Sequence, residues 1–444
     1  MTQEPRVRVG ILSAPAITFT LTGLYTLPSG EIVSGRQEAR VSDSGLAVCW
    51  NGATFTSVEF EPTSYPGDSF ELEGVTIGVD FHWERKENQR FRGSLRLIVE
   101  NGKLTAINLV NVEDYLVSVI SSEMSSTSSL QLLRAHAVIS RGWVLSMMSR
   151  SDRPLPPAAN HPDVRALNPG PSLIKYWDRE DHLNFDVCAD DHCQRYQGIS
   201  RVSTPVAAGA VADTRGEVLT FGGELCDTRF SKCCGGVFEL FETCWDDRPR
   251  PYLQARRDAV NQTDYPDLTV EENARRWILD SPAAFCNTSD PAVLSQVLNG
   301  YDRETPDFYR WTEELPQDKI TRLVASRLGE DLGRIKALVP LTRGTSGRIR
   351  ELKIIGTKGE RIIGKELMIR RTLSESHLYS SAFVVDALDP DASGIPARFI
   401  LRGAGWGHGV GLCQIGAAIM GERGYSYREI LSHYYIGATL TRLY

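Results

Sequence analysis

The run Arg402-Gly403-Ala404-Gly405-Trp406-Gly407-His408-Gly409-Val410-Gly411-Leu412-Cys413-Gln414 sets one histidine among five glycines spaced two apart. Alternate glycines weaken a strand but let another group approach the backbone closely, so this segment is built to receive either a ligand or a second stretch of chain. The competing reading is a glycine-rich barrel corner in which His408 is an ordinary hydrogen-bonded side chain. Phosphate binding fits poorly, since no lysine follows the glycines as in a P-loop and no strand-then-helix pattern frames a dinucleotide fingerprint. Upstream, Asp181 to Cys193 holds His182, Cys188, His192 and Cys193. Zinc takes thiolate and imidazole ligands tetrahedrally, and three protein ligands leave a position open. The spacing points to His182, Cys188 and Cys193, with His192 or an acidic neighbour as a fourth. The alternative is unliganded thiols, or a disulfide to Cys226, Cys233, Cys234 or Cys244.

Glu123 lies in Ile120-Ser121-Ser122-Glu123-Met124, where an apolar helical pattern gives way to serines. A general acid at neutral pH needs a carboxyl that keeps its proton, which a helix end packed against a core supplies. A solvated helix-end glutamate is the alternative. Glu113 and Asp114 lie roughly 13–15 Å back along the helix at 1.5 Å per residue, so they do not form a two-carboxylate pair with Glu123. One carboxylate is enough for lytic cleavage, in which a hydroxyl of the sugar itself attacks. Arg134 and Arg141 share a face of the next helix, and burial there demands a carboxylate or carbonyl partner. They serve either structure or substrate positioning.

These residues need a frame. From Arg6 to about Asn111 short alternating runs such as Val7-Val9-Ile11 and Leu95-Leu97-Val99 are punctuated by Pro-Gly and Asn-Gly, a β-rich pattern. Val112, Tyr115, Leu116, Val119 and Ile120 then recur at helical spacing, with Asn111 as cap and Glu113 and Asp114 in the first turn, where the helix dipole favours acids. Residues 130 to 148 read as a helix apolar on more than one face, hence buried. Asp152 to Asp181, with six prolines, reads as a surface excursion. Strands return from Val202 to Phe241, a mostly helical insertion carries Trp277 and Trp311 over 256–333, strands resume over 335–385, and a last helix spans Ser426 to Tyr434. The fold class expected is α+β: a β-rich core with a buried helix pair beside Glu123, plus a helical insertion. The domain reading is a β-rich region over 1–110, a core over 111–255 and 334–444, and the insertion between.

With 444 residues, 41% hydrophobic and 24% charged, the chain has room for a sizeable core and two or three domains. A net charge of −7 supplies no basic stripe for nucleic acid. Met1 to Val9 contains no apolar run of signal-peptide length, and no stretch reaches the roughly 20 apolar residues of a membrane span. Of nine cysteines, Cys188, Cys193, Cys226, Cys233, Cys234 and Cys244 crowd together while Cys49, Cys286 and Cys413 stand alone. In so long a chain the crowding favours a metal site among reduced thiols over a disulfide scaffold.

Phe91-Arg92-Gly93, Val112-Glu113-Asp114-Tyr115-Leu116 through Ser122-Glu123-Met124, the Leu133 to Arg141 helix and Cys193-Gln194-Arg195-Tyr196-Gln197-Gly198 follow one another in a distinctive order. Phe230-Ser231 with Gly235-Gly236, Ser346-Gly347-Arg348, the Gly-His-Gly-Val-Gly segment with Gln414, and His433-Tyr434-Tyr435 complete it. The order resembles the stage II sporulation protein D family, which includes the LytB-type amidase enhancers of bacterial cell-wall metabolism. The resemblance covers most of the chain outside the proline-rich excursion and the insertion. It implies a lytic transglycosylase that cuts peptide-free peptidoglycan strands and leaves a 1,6-anhydro-muramic end, with Glu123 at the catalytic glutamate position. It further implies zinc at His182, Cys188 and Cys193, and glycan contacts from Arg141, Gln194, Tyr196, Gly405, Gly407, His408, Gly409 and Gln414. The partners implied are glycan strands in the cell envelope and, in a non-catalytic enhancer, a cell-wall amidase. Departures are Cys233-Cys234, where small polar residues are usual, and Cys413, where serine is common.

Overall fold

The computed structural model describes residues 3–78, 85–125, 127–151, 172–174, 182–190, 193–200, 205–297 and 307–444. Ten strands open the chain: β1 (Arg6–Ala14), β2 (Ala16–Thr26), β3 (Ile32–Val41), β4 (Val48–Trp50), β5 (Ala53–Phe55), β6 (Ser57–Pro62), β7 (Ser69–Ile77), β8 (Arg85–Arg92), β9 (Ser94–Glu100) and β10 (Lys103–Asn111). Their alternation sends Ile17, Phe19, Leu21, Leu95 and Leu97 into the core. Asn101 and Gly102, both at positive φ, close the β9–β10 hairpin with the twist that adjacent strands require. The main sheet runs β1-β10-β9-β6-β2-β3-β4-β5, with β7 and β8 attached through β2.

Two helices follow, α1 (Val112–Glu123) and α2 (Leu130–Ser151). Asn111 occupies the cap position with extended backbone but gives no side-chain cap bond. A distant side chain replaces it, because Glu4 Oε1 accepts from the Glu113 N–H at 2.9 Å. Leu132, Leu133, Ala137, Ile139 and Val144 of α2 are buried. Of the proline-rich stretch, β11 (Ser172–Ile174) is described, and the rest of the expected excursion lies outside the described residues. β12 (Val187–Cys188) then pairs in parallel with β1, extending the main sheet at that edge.

The segment expected to be a helical insertion divides between two cores. Helices α3 (Pro205–Asp213), α4 (Phe241–Cys244), α5 (Glu271–Asp280), α6 (Pro291–Val297) and α7 (Gln317–Leu328) are present. Phe285, Val293 and Leu294 belong to the large core, whereas Trp311, Leu315, Ile320 and Val324 belong to a second core reaching Leu401. The physical reason lies in the strands that follow. β13 (Glu217–Phe221), β14 (Glu224–Leu225), β15 (Phe230–Ser231), β16 (Val237–Phe238) and β17 (Arg256–Arg257) precede β18 (Arg310–Pro316), which pairs with a distant strand and carries α7 away from α6. The second core is built from β18, β19 (Ile335–Arg343), β20 (Ile349–Gly356), β21 (Glu360–Gly364), α8 (Glu366–Thr372), β22 (Phe383–Pro390) and β23 (Pro396–Ala404). β24 (Leu412–Cys413), α9 (Gln414–Glu422), α10 (Tyr427–Tyr434) and β25 (Thr439–Arg442) end the chain against the first core, with Ser426 and Glu429 forming a capping box on α10. Among the described strands the ladders are antiparallel apart from β1–β12, β11–β21 and β15–β24, so the architecture is α+β. No described helix is long and apolar enough to cross a membrane.

Candidate active site and metal-binding loop

Glu123 ends α1 half-buried, and the loop beyond it is fixed from the far side of the molecule. The Ser125 N–H and Ser128 hydroxyl donate to the Gln296 carbonyl at 2.9 and 2.8 Å, so α6 buttresses the loop that follows Glu123. The Arg195 N–H donates to Glu123 Oε1 at 3.3 Å. His136 of α2 lies within electrostatic reach of Glu123 and also feels Lys232. Burial pushes the His136 imidazole down to about 4, partly offset by Glu123. One ring nitrogen faces the Ser140 hydroxyl at 3.1 Å and the other faces the Gln414 amide at 3.0 Å. Through His136, Gln414 at the end of the glycine-rich segment therefore meets the Glu123 neighbourhood.

His182, Cys188 and Cys193 are brought together, their ligand atoms all within 4.8 Å of one another. Cys193 Sγ lies 3.5 Å from His182 Nε2. None of the nine cysteines, all in described residues, is in a disulfide. The β1 edge holds this loop. Asp186 accepts from the Arg8 N–H and guanidinium at 2.8 and 2.7 Å, and β12 pairs Val9 with Val187 and Gly10 with Cys188. Two thiols and an imidazole at this spacing suit zinc. His192, the alternative fourth ligand, lies outside the described residues. A cavity of about 190 Å³ opens beside the loop, lined by Gly10, Val75, Gln89, Cys188, Asp190 and Arg195 among others.

Arg141 is a structural clamp, which corrects its assignment to substrate. Its guanidinium is fully buried, pairs with Glu113 at 2.9 and 2.7 Å, and donates to the carbonyls of Glu217 and Val211. Arg134 pairs with Asp213 instead. Neither arginine takes Glu123 as its partner. Gln194 and Tyr196 are also turned inward. Gln194 accepts from the Tyr115 hydroxyl at 3.2 Å, and Tyr196 donates to Asn108 at 2.7 Å while packing on Phe91 and Tyr115. They brace the loop that carries Arg195.

The glycine-rich segment receives other parts of the chain. Gly409, at φ +74°, leaves the Arg348 guanidinium so close that an added Cβ would sit 2.4 Å from its carbon, and at Gly411 a Cβ would meet the Arg229 carbonyl. Arg348 donates to the Gly407 carbonyl at 2.9 Å, Trp406 exchanges backbone bonds with Cys233, and Gly405 donates to the Tyr309 carbonyl at 3.1 Å. His408 accepts from the Val410 N–H at 3.0 Å, packs edge-on to Trp245 at 4.7 Å and bonds to the Phe230 backbone. Burial, with Arg229, Arg348 and Arg370 near it, holds this imidazole far below its usual range and therefore neutral. Of the two readings open for the glycines, close approach of a second stretch of chain describes the contacts at these positions.

A family profile described as Stage II sporulation protein matches residues 100–221, and one described as a domain of unknown function matches 239–411. Stage II sporulation protein D of Bacillus subtilis (strain 168) is 22% identical over 388 residues, 87% of this chain and 84% of that protein. Residues 100–221 carry a domain that matches the Stage II sporulation protein family. An uncharacterized protein of Brachyspira hyodysenteriae is 24% identical over 373 residues, 84% of this chain and 74% of its own length. The Amidase enhancer of Bacillus subtilis is 27% identical over 242 residues, 52% of this chain but 32% of that protein. Glu123, Arg141, His182, Cys188 and Cys193 all fall inside the first matched region, and Gly405 to Gly411 inside the second. The sequence did not single out His136, which lies within electrostatic reach of Glu123.

Proposed function

We propose that the protein is a lytic transglycosylase of bacterial cell-wall glycan, cutting between N-acetylmuramic acid and N-acetylglucosamine in strands free of peptide. The observation that carries this reading is the isolation of Glu123 as a working carboxylate. Glu113 is committed to Arg141, and Asp114 to Arg92 and Tyr65, whereas Glu123 meets a backbone N–H and lies near a neutral imidazole at the end of a buried helix. That arrangement suits chemistry with one carboxylate and an internal nucleophile. Glu123 donates its proton to the glycosidic oxygen as the bond to C1 of the muramic sugar breaks. It then takes the proton of the C6 hydroxyl as that oxygen closes on C1, so the 1,6-anhydro end forms and the carboxyl is regenerated. The Arg195 N–H steadies the carboxylate between the two transfers.

The relatives' names, a sporulation protein and an amidase enhancer, support a cell-wall role. His182, Cys188 and Cys193 would hold a zinc ion whose chemistry is to order the loop bearing Arg195. Release of products from peptide-free glycan strands, followed by liquid chromatography, tests the role of Glu123. Glu123→Gln is expected to lower the release rate by about 10²–10⁴-fold while still sedimenting with the glycan. Release as fast as in the parent contradicts the assignment, and binding without turnover by the parent itself favours a non-catalytic enhancer.

A further inference from the structure

Apart from the loop of His182, Cys188 and Cys193, a second set of metal-ligand side chains converges in the interior. The sulfurs of Cys234, Cys286 and Cys413 and a carboxylate oxygen of Asp258 all lie within 4.8 Å of one another, and all four residues are buried. Cys234 Sγ and Cys286 Sγ are 3.5 Å apart. A disulfide requires about 2.05 Å. Ligands around a tetrahedral zinc with Zn–S of about 2.3 Å stand about 3.8 Å apart, so the spacing is that of ligands around one ion. The Cys233 thiol reaches those of Cys286 and Cys413 from one side.

The surroundings are those of a built site. The Cys234 N–H donates to Cys413 Sγ at 3.2 Å. Asp258, fully buried, accepts from the Tyr434 hydroxyl at 2.8 Å and from the Cys286 N–H at 3.1 Å. His433 Nε2 lies 3.4 Å from the same carboxylate, and its Nδ1 lies 3.0 Å from the Gln262 amide nitrogen. Outer partners of this kind orient ligands in metal sites. Among the described residues no lysine or arginine pairs with Asp258. A buried carboxylate with no lysine or arginine beside it is costly, and a metal ion at the centre of the cluster offsets that cost.

We infer that Cys234, Asp258, Cys286 and Cys413 bind a single structural zinc ion. Four protein ligands close its coordination shell and leave no position for substrate. The ligands come from four separate stretches: the turn before Gly235-Gly236, the residue after β17, the link between α5 and α6, and the last residue of β24. The ion thus fastens α6, which buttresses the loop after Glu123, to the end of the glycine-rich segment. Cys413 directly precedes Gln414, the residue that meets His136.

The double variant Cys188→Ser/Cys193→Ser removes the loop cluster and leaves the buried one. Purified in the absence of added metal, it is expected to retain about one zinc per chain, with X-ray absorption reading sulfur-dominated coordination at about 2.3 Å. Adding Cys286→Ser should bring the zinc content to near zero. Anomalous scattering at the zinc edge from crystals of the unaltered chain, which depends on no variant, should place a peak among the four side chains. A double variant that is folded but free of zinc overturns the inference, as does a Cys234–Cys286 disulfide in a non-reducing peptide map or the lack of an anomalous peak at the cluster. Each readout is independent of glycan cleavage, so failure of the catalytic reading leaves this result interpretable.

Discussion

His136 and His408 are both held neutral inside the fold, and their titration gives the residue scale a measurable signature. The unfolded chain takes up a proton on each near the ordinary histidine value of about 6.5, whereas folded His136 does so only near 4 and His408 well below its usual range. The unfolded state then binds more protons in this window, so stability falls as pH drops below about 6.5. For His136 alone the loss between pH 7 and 5 is on the order of 2 kcal/mol. Urea unfolding at pH 7, 6 and 5 should show a midpoint that declines with acid and a shallower decline in His136→Gln; a midpoint unchanged between pH 7 and 5 contradicts the burial of a neutral ring. That Glu123 ends a helix was legible because a carboxylate followed an apolar helical pattern and preceded serines. His136 was not, since nothing in a single histidine on a buried helix says what its two nitrogens face.

At the scale of elements, α1 and α2 share an apolar core and one buried ion pair that the sequence left open. Arg141 is fully buried against Glu113, and the Gly216 N–H and Tyr444 hydroxyl also donate to that carboxylate. Arg141→Met leaves the carboxylate without its cation and should cost about 3–5 kcal/mol in chemical unfolding. The double variant Glu113→Gln/Arg141→Met should recover much of that loss, and equal destabilisation in the two would refute the pairing. Helical periodicity announced both helices. It did not reveal that Glu4 caps α1 in place of Asn111, because that contact joins residues far apart in sequence. The His182, Cys188 and Cys193 set was readable from local spacing, whereas Cys286 and Cys413, isolated in sequence, meet Cys234 only through the fold.

On the scale of the whole molecule, the boundary read at residue 333 gives way to a second core that gathers Trp311 through Leu401. Long-range strand pairing sets that division, since Trp311 sits opposite Gly403 in the β18–β23 ladder, and periodicity along the chain carries no record of such a partner. The outcome is a molecule in which one half supplies Glu123, Arg195 and the His182 loop, while the terminal segment arrives at the same place through Gln414. The central claim is that this convergence cuts glycan by internal attack. Mass spectrometry of the ends formed on peptide-free glycan strands by the unaltered chain tests it most directly. The account predicts muramic ends one water lighter than hydrolysed ends, absent with Glu123→Gln; hydrolysed reducing ends, or strands left intact, would contradict it.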